Sequence, residues 1–210
     1  MPAPPDRIGI DVHHLHYVER LQARAAEAVE LVVIHCTELP DLATARQYGE
    51  RVLYEAGTGN SGHWYIDRDG SIVEYVPATR IAHHVRGHNA NSVGIELVNR
   101  GRFPHWLDSR HQAMDQHYPD AQVEALLALL THLRATLPAL AGIAGHEDLD
   151  TERVPATDNP SVLVSRKRDP GPLFPWPRVL ASCGLAYRAS DGRPAPSAEA
   201  RFPLGQGFLP

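Results

Sequence analysis

The sequence predicts an α/β fold: a single domain with a mixed central β-sheet flanked by helices. Compact runs rich in β-branched residues, which are typical of buried strands, alternate along the chain with segments of helical composition. The length of 210 residues corresponds to about one domain, since domains commonly contain roughly 100–200 residues. Hydrophobic residues make up 43% of the chain, which is enough for a buried core and argues against general disorder.

The N-terminal part of the chain contains one clear strand. Residues 1–28 form a polar lead-in that contains several histidines, and within it residues 19–29 have the composition of a short helix. Residues 30–35 form a compact, mostly apolar run rich in β-branched residues, and a run of this length favours a buried strand. Residues 42–56 have helical composition and are followed by Gly57, a residue type that often terminates helices.

Residues 63–67 and 71–76 predict a β-hairpin. They flank the Asp-Gly pair at 69–70, and Asp-Gly between two strand-like runs indicates a tight turn. Residues 93–99 form another compact apolar run and predict a further buried strand.

The C-terminal half contains the clearest helix. Residues 100–120 are polar and predict a long loop, whereas residues 121–137 predict a helix because their leucines recur at helical spacing. Residues 188–210 are rich in Pro, Gly, Ala and Ser and are expected to be extended or disordered. We therefore divide the chain into the lead-in, a domain over residues 29–187 and this tail.

Composition excludes several classes of protein. The formal net charge is −5 at pH 7, whereas nucleic-acid binding by counterion release needs a positive surface, so we expect no nucleic-acid partner. The 2 cysteines are too few for a disulfide scaffold.

No stretch approaches about 18 consecutive apolar residues, so we expect no membrane span. The N-terminal residues lack the apolar core of a secretory signal, which predicts a cytoplasmic location, or a periplasmic or envelope one if a signal peptide has been removed.

The 13 histidines allow three explanations: metal binding, acid–base chemistry or a scatter over the surface. His35 ends an apolar strand, and sites in α/β sheets form outside the carboxyl ends of strands. His146 follows Gly145 and precedes several acidic residues, which suits a metal ligand oriented by a nearby carboxylate. Taken alone, both histidines are also compatible with ordinary structural or surface roles.

Glu96 is unusual because it lies inside an apolar strand. Burying an unpaired carboxylate is costly, so this glutamate either occupies an exposed face of the strand or lines a site with a partner.

Lys167 and Asp169 lie two residues apart, and Pro170 biases Asp169 toward an extended backbone. Side chains at i and i+2 of an extended segment point the same way, so both residues can reach one site. The alternative is a solvated basic run with a helix-capping aspartate.

The segment 81–92 contains His83, His84, His88 and Asn89 without helical periodicity. It is either a binding loop or a polar surface loop.

These segments together resemble the zinc-dependent N-acetylmuramoyl-L-alanine amidases of the type-2 family. The sequences VVIHCTE, IAHHVRGHNANSVGIELVN, AGHED and RKRDPGPLFPW occur in the order typical of that family. The resemblance extends over about residues 28–185 and implies a mixed sheet flanked by helices. It also implies an enzyme with one Zn²⁺ per chain. That enzyme would cleave the amide bond between N-acetylmuramic acid, or its 1,6-anhydro form, and L-alanine of the peptidoglycan stem peptide.

By this resemblance, the zinc ligands are expected to be His35, His146 and Asp169. The segment 149–165 is longer than in many family members, so three further carboxylates compete for the third position: Asp148, Asp150 and Asp158.

The resemblance also implies the residues that act on the substrate. Glu96 matches the catalytic glutamate of the family, and Lys167 matches the lysine two positions before the last ligand. His84 and Asn89 match a loop that lines the substrate groove. Peptidoglycan fragments or muropeptides are the expected partners. The alternatives are a non-catalytic peptidoglycan-binding module of the same superfamily, an amidase acting on intact cell wall, and an unrelated α/β protein with many surface histidines.

Overall fold

The structure is a computed structural model, and it describes residues 8–196. Within that range, nine strands occur in chain order: β1 (Ile10–Val12), β2 (Leu31–Cys36), β3 (Trp64–Ile66), β4 (Ile72–Glu74), β5 (Ser92–Leu97), β6 (Gly142–Gly145), β7 (Arg153–Pro155), β8 (Leu163–Ser165) and β9 (Ala186–Tyr187). The α-helices there are α1 (Leu42–Gly49), α2 (Asp120–Thr136), α3 (His146–Leu149) and α4 (Trp176–Cys183). None of the helices in residues 8–196 is both long and apolar enough to cross a membrane.

Seven strands form one mixed sheet in the order β1-β4-β3-β5-β2-β6-β9, while β7 and β8 form a separate two-stranded hairpin. The strand β2 lies between β5 and β6 and is parallel to both. All six residues of β2 are buried, as expected for a parallel strand covered on both faces. The hairpin predicted around the Asp-Gly pair is confirmed as the antiparallel pair β3 and β4. The predicted α/β fold with a mixed sheet is therefore confirmed.

The two faces of the sheet pack against different parts of the chain. Alternate side chains such as Ile34 and Ile95 point toward α2 and α4 and form the larger core with the buried leucines of α2. Because side chains alternate along a strand, the neighbouring residues His35 and Glu96 point to the opposite face. The functional candidates of the central strands therefore lie on the face away from α2 and α4.

The lead-in differs from its expected form. Instead of one helix over residues 19–29, the chain forms two short 3₁₀ turns, Val18–Arg20 and Ala26–Ala28. The strand β1 pairs in parallel with β4, and Tyr17 is buried in a second apolar cluster. The tertiary contacts of these apolar side chains override the local helical composition. The domain boundaries given above remain predictions.

The helix α1 ends at Gly49 rather than at residue 56. The hydroxyl of Tyr17 donates to the carbonyl of Gly49 at 2.6 Å, and the amides of Leu53 and Tyr54 both donate to the carbonyl of Thr58 at 2.9 and 3.0 Å. These contacts satisfy the backbone in a non-helical loop. The predicted tail has no helix or strand over residues 188–196, and the remainder lies outside the described residues.

Candidate metal centre and groove

Two histidines and one aspartate meet at the carboxyl edge of the sheet. His35 Nδ1 lies 2.9 Å from Asp169 Oδ2, and His146 Nδ1 lies 3.0 Å from the same oxygen. The register explains why the two histidines meet, because Ile34 in β2 pairs with Gly145 in β6, so that His35 and His146, which follow them in the chain, lie at the same edge. All three side chains are buried.

The protonation states of His35 and Asp169 suit a divalent cation. Burial and the nearby His146 lower the pKa of His35 to about 4, so its imidazole is neutral at pH 7. Burial acts to raise the pKa of Asp169, but attraction to His146 and hydrogen bonds from both imidazoles hold it well below its ordinary range. Metal binding requires neutral imidazole and ionised carboxylate.

The buried polar atoms of the cluster also fit a metal ion. Potential ligand atoms of His35, His146 and Asp169 all lie within 4.8 Å of one another. A further atom of the cluster, Asp169 Oδ1, is buried without a hydrogen-bond partner among the described residues. Buried polar groups are normally paired, so a buried carboxylate oxygen without a partner suits an additional ligand such as a metal ion.

The rival carboxylates have other partners. Asp148 accepts from the amide of Gly145 at 2.7 Å and pairs with Arg193. Asp150 pairs with Arg166. Asp158 accepts from the amide and hydroxyl of a serine in the long loop, Ser109. The carboxylate that lies between the two imidazoles is that of Asp169.

Glu96 lies beside this cluster rather than on an exposed face. It is directly opposite His35 in the register of β2 and β5, and its Oε1 lies 3.9 Å from His35 Nδ1. Burial and the charge of Asp169 raise the pKa of Glu96 to about 8, while Lys167 opposes the shift. A β-carbon at position 62 would lie 2.6 Å from the Cγ of Glu96, so Gly62 leaves the space that this side chain occupies.

Lys167 is half-buried and is the only lysine in the chain; all other permanent cationic side chains are arginines. It lines the same groove as Glu96 and Asp169. An ammonium group is a compact point charge, whereas a guanidinium group is a planar fork, so the two are not equivalent at a site where charge develops on one atom.

A buried ion pair holds the segment that contains Lys167. Arg102 Nε and Nη2 donate to the two carboxylate oxygens of Glu38 at 2.7 and 2.8 Å, and the two side chains are only 1% and 8% exposed. Arg102 Nη1 also donates to the carbonyl of Ser165 at 2.9 Å. This pair connects the end of β2, the long loop and the strand leading to Lys167. Sequence reasoning missed it, because an isolated Arg and Glu in polar segments have no distinctive pattern.

The cluster lines an open groove of about 770 Å³. Its volume lies in the range typical of small-molecule sites, roughly 300–1,000 Å³. The groove walls contain side chains that sequence reasoning did not single out, among them Tyr48, Arg51, Tyr54 and Arg166. Tyr54 belongs to the loop that follows the end of α1. Because the helix was expected to extend to residue 56, the sequence did not indicate this wall of the groove.

The loop before β5 contributes His84 and Asn89 to the groove lining. Asn89 Oδ1 accepts from the amides of His84 and Val85 at 3.0 and 2.8 Å, so its side chain stabilises the loop. The imidazole of His84 contacts His35 on the side opposite Asp169, since its Nδ1 lies 3.0 Å from His35 Nε2.

Comparisons with known proteins agree with this architecture. A family model described as N-acetylmuramoyl-L-alanine amidase matches residues 25–172. The 1,6-anhydro-N-acetylmuramyl-L-alanine amidase AmpD of Salmonella typhimurium is 33% identical over 135 residues, which cover 60% of this chain and 58% of AmpD. The amidase AmiD of Escherichia coli is 32% identical over 184 residues, 79% of this chain and 57% of AmiD. The chain thus spans less than two thirds of the length of these relatives.

A solved structure shares the fold. The complex of Escherichia coli AmiD with anhydro-N-acetylmuramic acid-L-Ala-D-γ-Glu-L-Lys gives a TM-score of 0.56 at 24% identity, over 79% of this chain and 61% of that chain. The family model covers more than half of the chain, and its match includes both histidines and the aspartate of the cluster. This chain belongs to the type-2 N-acetylmuramoyl-L-alanine amidase family.

Proposed function

We propose that this chain is a zinc-dependent hydrolase. Its substrate is the amide bond between N-acetylmuramic acid, or its 1,6-anhydro form, and L-alanine of the stem peptide. One observation carries the proposal. The side chains of His35, His146 and Asp169 cluster in the lining of an open groove, and Glu96 lies beside them. The family membership and the names of AmpD and AmiD support the substrate class.

In this proposal His35, His146 and Asp169 hold one Zn²⁺. Two neutral imidazoles and one carboxylate leave the site with a net charge of +1 and with three protein ligands, the number typical of catalytic zinc. When bound, zinc would lower the pKa of a water molecule and polarise the scissile carbonyl group.

Glu96 is proposed to move the proton. Its carboxylate would accept a proton from water as the oxygen of that water bonds to the lactyl carbonyl carbon, and would deliver the proton to the alanine nitrogen as the C–N bond breaks. The products are a muramyl carboxylate and a peptide with a free L-alanine amine. Lys167 would stabilise the negative charge that develops on the carbonyl oxygen.

The proposal is tested by assaying a muramyl-L-Ala peptide for release of the free alanine amine. The protein as purified, the protein depleted with a chelator and the depleted protein with zinc restored would be compared. We expect activity in the first, loss in the second and recovery in the third. Binding of the muramyl peptide without amine release in the zinc-loaded protein would instead support the non-catalytic module.

The same assay, applied to soluble anhydro-muropeptides and to intact sacculi, separates a recycling enzyme from one acting on the cell wall. Faster cleavage of the soluble anhydro-muropeptides is expected from the similarity to AmpD. Preferential release from sacculi would contradict this choice of substrate.

Replacing Lys167 with alanine is expected to reduce kcat by about 10²–10³-fold, the typical loss for one oxyanion stabiliser. The zinc content should not change. Lys167 also lowers the pKa of Glu96, so its loss should raise that pKa and move the acidic limb of the kcat/KM profile to higher pH. Lys167→Arg, which retains the charge, is the matched control and should shift the limb less. A wild-type kcat for Lys167→Ala would exclude the proposed role.

A further inference from the structure

We propose that His84 is a positioning residue for the metal centre: it accepts the Nε2 proton of His35 and thereby fixes the tautomer and orientation of that ligand. The inference rests on the zinc site of the proposed function. It assigns His84 a role that its position in the groove lining alone does not imply.

A continuous line of polar contacts starts at His35. Its Nδ1 faces Asp169 at 2.9 Å, and its Nε2 faces His84 Nδ1 at 3.0 Å. On the far side of the ring, His84 Nε2 lies 3.3 Å from the hydroxyl oxygen of Ser92. That hydroxyl donates to the carbonyl of His88 at 2.7 Å. The line therefore ends on a backbone acceptor.

When His35 Nδ1 is a metal ligand, only one arrangement of protons gives each contact between His35 and the carbonyl of His88 one donor and one acceptor. The remaining proton of neutral His35 is then on Nε2, and it needs an acceptor. His84 Nδ1 supplies that acceptor, so the proton of His84 is on Nε2 and is donated to Ser92. The hydroxyl proton of Ser92 is already directed to the carbonyl of His88. Metal-ligating histidines usually donate their second N–H group in this way, and the partner orients the ring.

The surroundings hold His84 in place. Asn89 binds the backbone of His84 through its side-chain oxygen. A β-carbon at position 94 would lie 2.7 Å from His84 Nδ1, so Gly94 is needed for the close approach of the ring to β5. Ser92 is fully buried, so its hydroxyl group is shielded from bulk solvent.

The test is the affinity of each variant for zinc, measured by competition with a chromophoric chelator. His84→Leu introduces an apolar side chain of similar size that has no acceptor, and zinc affinity should fall about 10–100-fold. His84→Asn restores an acceptor near the position of Nδ1 and should recover much of this loss. Ser92→Ala should give a smaller decrease.

His88→Gln is the matched control, because only the backbone oxygen of His88 takes part in the line of contacts. It should bind zinc as tightly as the unmodified protein. Thermal unfolding of each metal-free variant shows whether the fold is retained, and the recovery in His84→Asn separates loss of an acceptor from a general packing defect.

Unchanged zinc affinity in His84→Leu would overturn the inference, as would an equal loss in His84→Leu and His84→Asn when both variants are folded. The readout is metal binding, so the result is independent of whether the protein hydrolyses muropeptides. If the unmodified protein bound no zinc, the cofactor of the proposed function and this inference would both be wrong. If it bound zinc without amidase activity, the inference would stand while the proposed reaction failed.

Discussion

Replacing Glu96 with glutamine is expected to lower kcat by about 10²–10⁴-fold, the contribution typical of a positioned general acid–base group. Glutamine has nearly the same shape but neither accepts a proton from water nor delivers one to the amine. Since Glu96 is not one of the three residues proposed as zinc ligands, the zinc content and the zinc affinity should remain unchanged. The measurement is steady-state release of the alanine amine, with zinc determined on the same sample.

Glu147→Gln is the matched control for this variant. Burial and the charge of Asp148 raise the pKa of Glu147 to about 7, so it is a second glutamate with a raised pKa near the cluster. Its side chain is not part of the groove lining that contains Glu96. Glu147→Gln should retain most of the activity. Comparable activity losses in the two variants, or loss of zinc in Glu96→Gln, would argue that Glu96 has a structural role.

Replacing Arg102 with methionine is expected to lower the free energy of unfolding by about 3–5 kcal/mol, because it leaves Glu38 as a buried carboxylate without its partner. The substitution also removes the donor to the carbonyl of Ser165, so the segment with Lys167 and Asp169 loses an anchor. The free energy follows from urea unfolding of the metal-free protein by linear extrapolation. Adding Glu38→Gln to Arg102→Met removes the unpaired charge and should recover part of the loss.

Arg178→Met tests an exposed ion pair for comparison. Arg178 pairs with Asp120 at 2.6 Å and also with Glu124, but the three side chains are 39%, 89% and 65% exposed. Exposed pairs contribute at most about 1 kcal/mol, so this variant should change stability far less. If Arg102→Met were no more destabilising than Arg178→Met, the buried pair would not be the anchor described here.

Several elements could be predicted because their information is local. The apolar run of β2, the Asp-Gly turn between β3 and β4 and the leucine spacing of α2 each follow from a few neighbouring residues. The end of α1 could not be predicted in this way, since it depends on the hydroxyl of Tyr17, 32 residues away, at the carbonyl of Gly49. The structure of the lead-in could not be predicted locally either, because its apolar residues become buried only against a sheet formed by later parts of the chain.

The sequence by itself determined the α/β class, the family resemblance and the residues proposed as ligands and catalytic groups, because such chemistry allows few residue types at each position of a motif. Only the tertiary structure decided which carboxylate lies between the histidines, that Glu96 lies beside them, and that His84 contacts His35. The physical reason is distance along the chain: His35 and Asp169 are 134 residues apart, and their contact exists only in the folded protein. Buried pairs such as Glu38 and Arg102 likewise leave no periodic pattern, because each depends on the low-dielectric surroundings that the whole fold creates.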